Sequence, residues 1–132
     1  MVSLRQGVFM GKYSVTFAFC TSRKRRVFLA GDIPNAFTSL SSEALTNLDI
    51  DVNDIRFYDY GVAMSVEAPP NMSPESIVTK VKSATSRKIR EQYQELWSMP
   101  ALWTKAYWYK IGTLDDSALI EIKDFFDKQP TR

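Results

Sequence analysis

Two clusters of lysine and arginine have the residue types and the spacing that best suit a chemical function. An unbroken basic run spans residues 23–26, and residues 80–90 hold five cations without a single acid. Cationic side chains neutralise phosphates, so such clusters are typical of a surface that faces a polyanion. Taken alone, either cluster could equally be solvated surface charge.

The distribution of charge says more than the net charge, which is only +2. The stretch from Asp115 to Asp127 is rich in acids, whereas the two basic clusters contain none. This asymmetry favours a domain with one face for nucleic acid. The predicted nucleic-acid-binding residues are Arg23, Lys24, Arg25, Arg26, Lys80, Arg87, Lys88, Arg90 and Lys105.

The sequence contains no histidine. Histidine is the commonest metal ligand and the commonest general base near neutral pH. Its absence excludes every catalytic mechanism that requires one. We predict no metal site and no cofactor.

The single cysteine, Cys20, excludes an internal disulfide, and its apolar neighbours predict a buried thiol in a reducing compartment. No apolar run approaches the roughly 18–20 residues that a membrane span needs. Residues 1–9 lack the apolar core of a secretory signal. We therefore expect a cytoplasmic protein without a membrane partner, folded as a single domain over residues 1–132.

The first half of the chain predicts three strands and a helix that could position the first basic run. Residues 13–20 alternate and are rich in β-branched and aromatic types, which indicates a strand. Apolar residues at helical spacing predict a helix over 36–48, capped near Pro34 or Asn35. Residues 50–57 and 62–66 predict an antiparallel hairpin, although the Asn53-Asp54 step breaks the alternation of the first strand.

The second half predicts a long helix that carries the other basic cluster. Ser73 and Pro74 form a strong helix start, with serine as the N-cap and proline at the first helical position. At 100° per residue, Lys80 and Arg87 lie nearly opposite the apolar face. The helix is therefore expected to bury an apolar stripe and to display a basic one.

A strand over Trp103–Ile111 and a final helix that begins at Asp115 or Asp116 complete the pattern. The order β-α-β-β-α-β with a C-terminal helix predicts an α+β fold of the ferredoxin-like, split βαβ type with an antiparallel sheet. Aromatic residues near the last strand could stack on bases or could form the core or a dimer interface. These are Trp97, Trp103, Tyr107, Trp108 and Tyr109.

Several phrases, in order, resemble the small HUH-type tyrosine transposases of the insertion-sequence 200/605 type. The basic phrase TSRKRRVF begins at Thr21, and SVEAPPNMSPESIVTKVKSATSRKI runs from Ser65 to Ile89. LWTKAYWYKIG and FFDKQ follow near the end of the chain. The similarity runs from about Tyr13 to Gln129, and the order of the motifs makes it specific.

The resemblance implies a homodimer whose sheets join and which recognises a hairpin in single-stranded DNA. It also implies a tyrosine nucleophile that becomes linked to a 5′ phosphate. In that family two histidines, one residue apart, and a polar side chain of the last helix hold a divalent metal that polarises the scissile phosphate.

This sequence departs from the family at the positions that carry catalysis. Gly61 and Ala63 stand where the histidine pair is expected, and neither side chain can donate an electron pair to a metal. Phe125 stands at the nucleophile position and lacks the attacking oxygen. Only Gln129 is retained, and one amide oxygen is a poor anchor for a hard cation.

We therefore expect a catalytically inactive, domesticated transposase that binds hairpins or other structured single strands, DNA or RNA, with a regulatory role rather than an enzymatic one. A shifted register that brings Tyr107 or Tyr109 into reach is one alternative. A metal set built from Glu67, Asp124 or Asp127 in an active nuclease is a second. A protein-interaction module on the same dimeric scaffold is a third.

Overall fold

A computed structural model describes residues 11–29, 31–97, 99 and 101–130 of the protein. Within these residues the regular elements are β1 (Tyr13–Cys20), α1 (Ile33–Thr46), β2 (Asp51–Tyr58), β3 (Gly61–Ala68), α2 (Pro74–Gln92), β4 (Trp108–Ile111) and α3 (Asp116–Asp127). Short 3-10 turns follow β1 and α2. None of the described helices is long and apolar enough to cross a membrane.

The four strands form one sheet in the order β2-β3-β1-β4, and every neighbouring pair is antiparallel. This arrangement confirms the predicted α+β, split βαβ fold. The register of β2 against β3 shifts between Val52 and Asp54. A bulge therefore lies where the Asn53-Asp54 step interrupted the alternation in the sequence.

The sheet is covered on both faces because its central strands are apolar on both sides. One face packs against α1 and α2 through a large core that includes Phe17, Phe19, Phe37 and Met64. The other face packs against α3 through a smaller cluster. The two helix layers therefore rest on separate sets of side chains.

Helix starts and caps follow the sequence signals closely at α2 and α3. The Ser73 hydroxyl accepts a hydrogen bond from the backbone N–H of Ser76 at 3.1 Å, and Pro74 opens the helix as predicted. The Asp115 carboxylate accepts from the N–H of Ala118 at 2.8 Å. Both caps satisfy N–H groups that the first helical turn leaves without partners.

Helix α1 begins earlier than the sequence pattern predicts. Its first residue is Ile33, after Asp32, and Pro34 lies inside the first turn rather than at the cap. Proline fits there because the N–H groups of the first turn have no helical acceptor. Ile33 is fully buried, so the apolar face extends one turn further than predicted.

The last strand is shorter than predicted, because the chain from 103 to 107 is held by side chains rather than by a strand ladder. Trp103 makes only an isolated bridge to Thr21, and its indole N–H donates to the Thr85 hydroxyl at 3.0 Å. The Lys82 ammonium donates to the carbonyls of Thr104, at 2.8 Å, and Ala106, at 3.2 Å. Regular pairing with β1 begins only at Trp108.

Candidate functional site

Gly61 and Ala63 lie on the face of the sheet that α3 covers. They are two residues apart on β3, so both point away from Val62 and Met64, which belong to the larger core. Ala63 is fully buried in the smaller cluster, beside Ile122 and Phe126 of α3. The positions expected to hold a metal thus lie inside an apolar contact between helix and sheet.

The ring of Phe126 occupies the space directly over Gly61. A Cβ atom at Gly61 would lie 2.7 Å from Cζ of Phe126 and 3.1 Å from the carbonyl oxygen of Phe19. Two further rings, those of Tyr58 and Tyr60, lie 4.9 and 5.8 Å from the Phe126 ring. Any side chain at position 61 would therefore have to displace the Phe126 ring.

The remaining family positions supply no ligand set for a divalent metal. Phe125 is half-buried at the edge of the same cluster, and the amide of Gln129 donates to the Phe125 carbonyl at 3.2 Å. Among the described residues, no group of three histidine, cysteine or acidic side chains could hold a metal ion. The side chains of Gly61, Ala63 and Phe125 carry no donor atom, so these residues do not fit the metal that the family implies.

The alternative metal ligands are engaged elsewhere. Asp124 pairs with Lys128 at 3.0 Å, and Asp127 pairs with Lys123 at 3.2 Å. The Glu67 carboxylate accepts from the side chain of Asn53 at 3.3 Å. These acids form ordinary surface contacts on different elements.

The alternative nucleophiles divide into two groups. Tyr107 and Tyr109 stack on each other with ring centroids 6.3 Å apart. Tyr109 lies on the edge strand β4, and Tyr107 directly precedes that strand. Tyr58 and Tyr60, which the sequence reasoning did not consider, lie against Phe126. Burial raises the pKa of both Tyr58 and Tyr60, so their phenols are held in the protonated, weakly nucleophilic form.

The first basic run forms a tight turn after β1. The Thr21 hydroxyl donates to the Arg25 carbonyl at 2.6 Å, and the Ser22 N–H donates to the Leu102 carbonyl at 2.9 Å. Arg23 and Lys24 both adopt positive φ, at 60° and 52°. Left-handed backbone costs an L-residue roughly 1–2 kcal/mol, so the turn carries its two cations in a strained conformation.

The second basic cluster is divided between exposed and anchored cations. Lys80, Arg87 and Lys88 are exposed on α2, as predicted. Arg90 is half-buried, and its guanidinium donates to the carbonyls of Ser86, at 3.3 Å, and Met99, at 2.9 Å. Lys82 is likewise half-buried, and burial lowers its pKa.

Most of the predicted binding cations have no carboxylate partner. Among the described residues, Arg87 is the only one of the nine in an ion pair, with Glu91 at 3.0 Å. The cations Lys12, Lys110, Lys123 and Lys128 all pair with acids elsewhere on the surface. Positive charge is therefore uncompensated mainly around α2 and the turn after β1, as a polyanion-binding surface requires.

Three clefts follow one another along α2. The Lys105 cleft, of about 390 Å³, is lined by Lys82, Lys105 and Ser83, among others. The α1 cleft, of about 350 Å³, shares Ser83 and contains Lys88 and Arg87, with Glu43 as its acid. The Trp97 cleft, of about 460 Å³, is lined by Arg87, Arg90, Glu91 and Trp97. Shared residues thus place the three clefts next to one another along α2, beside the cations.

Comparison with known proteins gives the sequence a family context. A family model described as IS200-like transposase matches residues 10–129. A candidate transposase from Deinococcus radiodurans R1 has a TM-score of 0.83 at 16% identity, over 100% of both chains. A REP-associated tyrosine transposase bound to a REP hairpin has a TM-score of 0.58 at 8% identity, over 92% of this chain and 68% of that one. A comparison with curated proteins finds no match.

The contact between Gly61 and Phe126 generates a stability prediction. We expect Gly61→Ala to lower the free energy of unfolding by about 1–3 kcal/mol, because the added methyl group overpacks the cluster. Urea denaturation measures the change. Gly11→Ala is the matched control, since a Cβ there meets no atom within 4 Å. Equal stability of the two variants would show that Phe126 does not fill this space.

The strained turn generates a second prediction, in which stability and binding change in opposite directions. Arg23→Gly is expected to raise the free energy of unfolding by about 1 kcal/mol, because glycine adopts positive φ without strain. The same change removes a predicted phosphate contact. Arg25→Gly removes the same charge at an ordinary φ of −63° and should not stabilise the fold. A stability gain in both variants, or in neither, contradicts the assigned strain.

Proposed function

This chain belongs to the IS200-like transposase family, and we propose that it is a catalytically inactive member that binds structured single strands of DNA or RNA. The observation that carries the proposal is the packing of Phe126 over Gly61, which fills the position of the expected metal ligand. In this proposal the protein acts in the cytoplasm by occupying nucleic-acid hairpins rather than by cutting them.

The loss of catalysis is supported by chemistry at three positions. Gly61 and Ala63 offer no electron pair, and Phe125 has no hydroxyl oxygen with which to attack phosphorus. Tyr58 and Tyr60, near this face, are partly buried, and burial raises the pKa of both phenols. None of these side chains could activate a phosphodiester.

The retention of binding is supported by the charge pattern around α2. Phosphate contacts need cations that are accessible and not already neutralised, and Lys80, Lys88 and Lys105 meet both conditions. A structure related in fold, the REP-associated tyrosine transposase, is bound to a REP hairpin. We therefore choose a hairpin with single-stranded flanks as the first ligand to test.

Edge strand β4 is our proposed dimer contact. It lies at the end of the sheet and exposes Tyr109 and Ile111, at 49% and 59% of their surface. An exposed apolar edge strand is a template for pairing with another chain. The same feature favours the second candidate function, a protein-interaction module, which recovery of one protein partner without nucleic acid would support.

The proposed function predicts salt-dependent hairpin binding. A fluorescently labelled hairpin is titrated with the protein at several salt concentrations, and the logarithm of affinity is expected to fall linearly with the logarithm of salt. Neutralising Lys80, Arg87 and Lys88 together to Gln should reduce the magnitude of the slope by about two to three, because each lost phosphate contact contributes about 0.7–0.9.

The control for this experiment removes the same number of charges from another part of the surface. Lys12, Lys123 and Lys128 each pair with a carboxylate, so changing all three to Gln should leave the slope nearly unchanged. Failure of the unaltered protein to bind any hairpin at low salt overturns the proposed function. Equal losses in both triple variants would mean that binding follows net charge alone.

The proposed inactivity predicts no cleavage under any metal condition. The unaltered protein, incubated with labelled hairpin DNA and Mg²⁺ or Mn²⁺, should give no shortened strand and no protein–DNA adduct. Phe125→Tyr should behave in the same way, because a restored hydroxyl still lacks a metal to polarise the phosphate. Denaturing electrophoresis measures both products, and a metal-dependent adduct in either protein would restore the active-nuclease alternative.

A further inference from the structure

We infer that the Trp97 cleft takes one unpaired base of the bound strand, stacked on the indole ring, with a neighbouring phosphate on the arginines beside it. The inference rests on the proposed function and names a site within it. It concerns the C-terminal end of α2 and the turn that follows it. Three observations carry it: the exposure of Trp97, its hydrogen-bonded orientation, and the cations around it.

Trp97 is exposed although large aromatic rings are normally buried. It exposes 63% of its surface, whereas Trp103 exposes 7% and lies in the main core. A flat apolar ring open to solvent is the element that single-strand binding proteins use to stack bases without regard to sequence. Packing in the core therefore explains the presence of Trp103, but it does not explain that of Trp97.

One hydrogen bond favours the orientation of the Trp97 ring that the structure shows. Its indole N–H donates to the backbone carbonyl of Glu91 at 3.2 Å. That carbonyl belongs to the last turn of α2, where helical geometry supplies no partner for it. The bond therefore gives this carbonyl of the helix end a hydrogen-bond partner and favours one orientation of the indole ring, which suits the ring to stacking.

The arginines of the cleft are positioned to receive a phosphate. The Arg90 guanidinium is fixed by the carbonyls of Ser86 and Met99, and the Arg87 side chain is 82% exposed. Arg87 uses Nε for its pair with Glu91, which leaves its terminal N–H groups free for a phosphate oxygen. A ring and two guanidinium groups thus surround one cleft of about 460 Å³.

The cleft also lies next to the other cations of α2. Arg87 lines both the Trp97 cleft and the α1 cleft, which contains Lys88. A strand whose phosphates follow the exposed face of α2 would reach Trp97 at the end of the helix. The site therefore fits a base in the single-stranded flank of a hairpin rather than one inside a duplex, where the base faces are already stacked.

The test combines a change in the protein with a change in the nucleic acid. The ligand is a hairpin DNA with a single-stranded flank, prepared as a set in which one flank nucleotide at a time is abasic. In the unaltered protein, one abasic position should weaken binding by roughly 5- to 100-fold, which is the range expected for one stacked base. Trp97→Ala should weaken binding of the complete hairpin by a similar factor.

The two changes should not add, because they remove the same contact. Trp97→Ala should lose its sensitivity to the abasic position, whereas Trp97→Phe, which keeps a ring, should retain most of the affinity. Quenching of tryptophan fluorescence by the complete hairpin should be much smaller in Trp97→Phe. Ile120→Ala is the control, since it removes an exposed apolar side chain, 71% exposed, from α3. Thermal melting checks that each variant is folded.

The outcomes separate this inference from the proposed function. Salt-dependent binding by the unaltered protein that Trp97→Ala leaves unchanged overturns the base site and preserves the proposed function. Additive losses from Trp97→Ala and the abasic position also overturn the base site, because they place the base elsewhere. Absence of binding by the unaltered protein overturns both.

Discussion

The second face of the sheet depends on one close contact, that of the Phe126 ring with the backbone of Gly61. A Cβ atom at Gly61 would approach Cζ of Phe126 to 2.7 Å, so the Phe126 ring can occupy this position only over a residue without a side chain. Ala63 and Ile122 extend the same fit along the strand and the helix. Because protein interiors are packed as densely as organic crystals, the small residues of β3 and the large ones of α3 form a matched pair of surfaces. A histidine at position 61 and the Phe126 ring in its present place exclude each other sterically.

The opposite side of the molecule depends on polar anchors that the basic cluster itself supplies. Arg90 donates to the Met99 carbonyl, Lys82 donates to the carbonyls of residues 104–106, and Trp103 donates to Thr85. These hydrogen bonds stabilise a segment without regular structure. Without them its carbonyls would lack hydrogen-bond partners, because no strand or helix supplies any. Cations that appear equivalent in the sequence therefore have different tasks. Lys80 and Lys88 have no such anchor, whereas Lys82 and Arg90 stabilise the segment that presents Lys105.

The sequence was sufficient to predict a structural feature where the signal for it comes from residues close together in the chain. The Ser73-Pro74 start of α2, the Asp115 cap and the irregularity near Asn53 each depend on residues within a few positions, and each is found in the structure. The start of α1 and the length of the last strand were wrong because both are decided by distant partners, the core around Ile33 and the ammonium of Lys82. The sequence also predicted Gly61, Ala63 and Phe125 as the family positions, and that assignment stays a prediction. It could not reveal that Phe126, rather than Phe125, fills the space above Gly61, because that contact joins residues 65 positions apart.

The two faces of the sheet pack against different helices, and this offers a physical explanation for the proposed loss of catalysis. Side chains alternate along β3, so Gly61 and Ala63 contact α3, while Val62 and Met64 contact the core beneath α1 and α2. Substitutions at positions 61 and 63 therefore change the packing of α3 without touching the helix that carries Lys80, Arg87 and Lys88. Effects on stability at such separated sites are usually additive, so one surface can change while the other keeps its geometry. An ancestral protein with a metal site on one face could thus have replaced it with apolar packing, and the basic face of α2 would have kept its cations in place throughout.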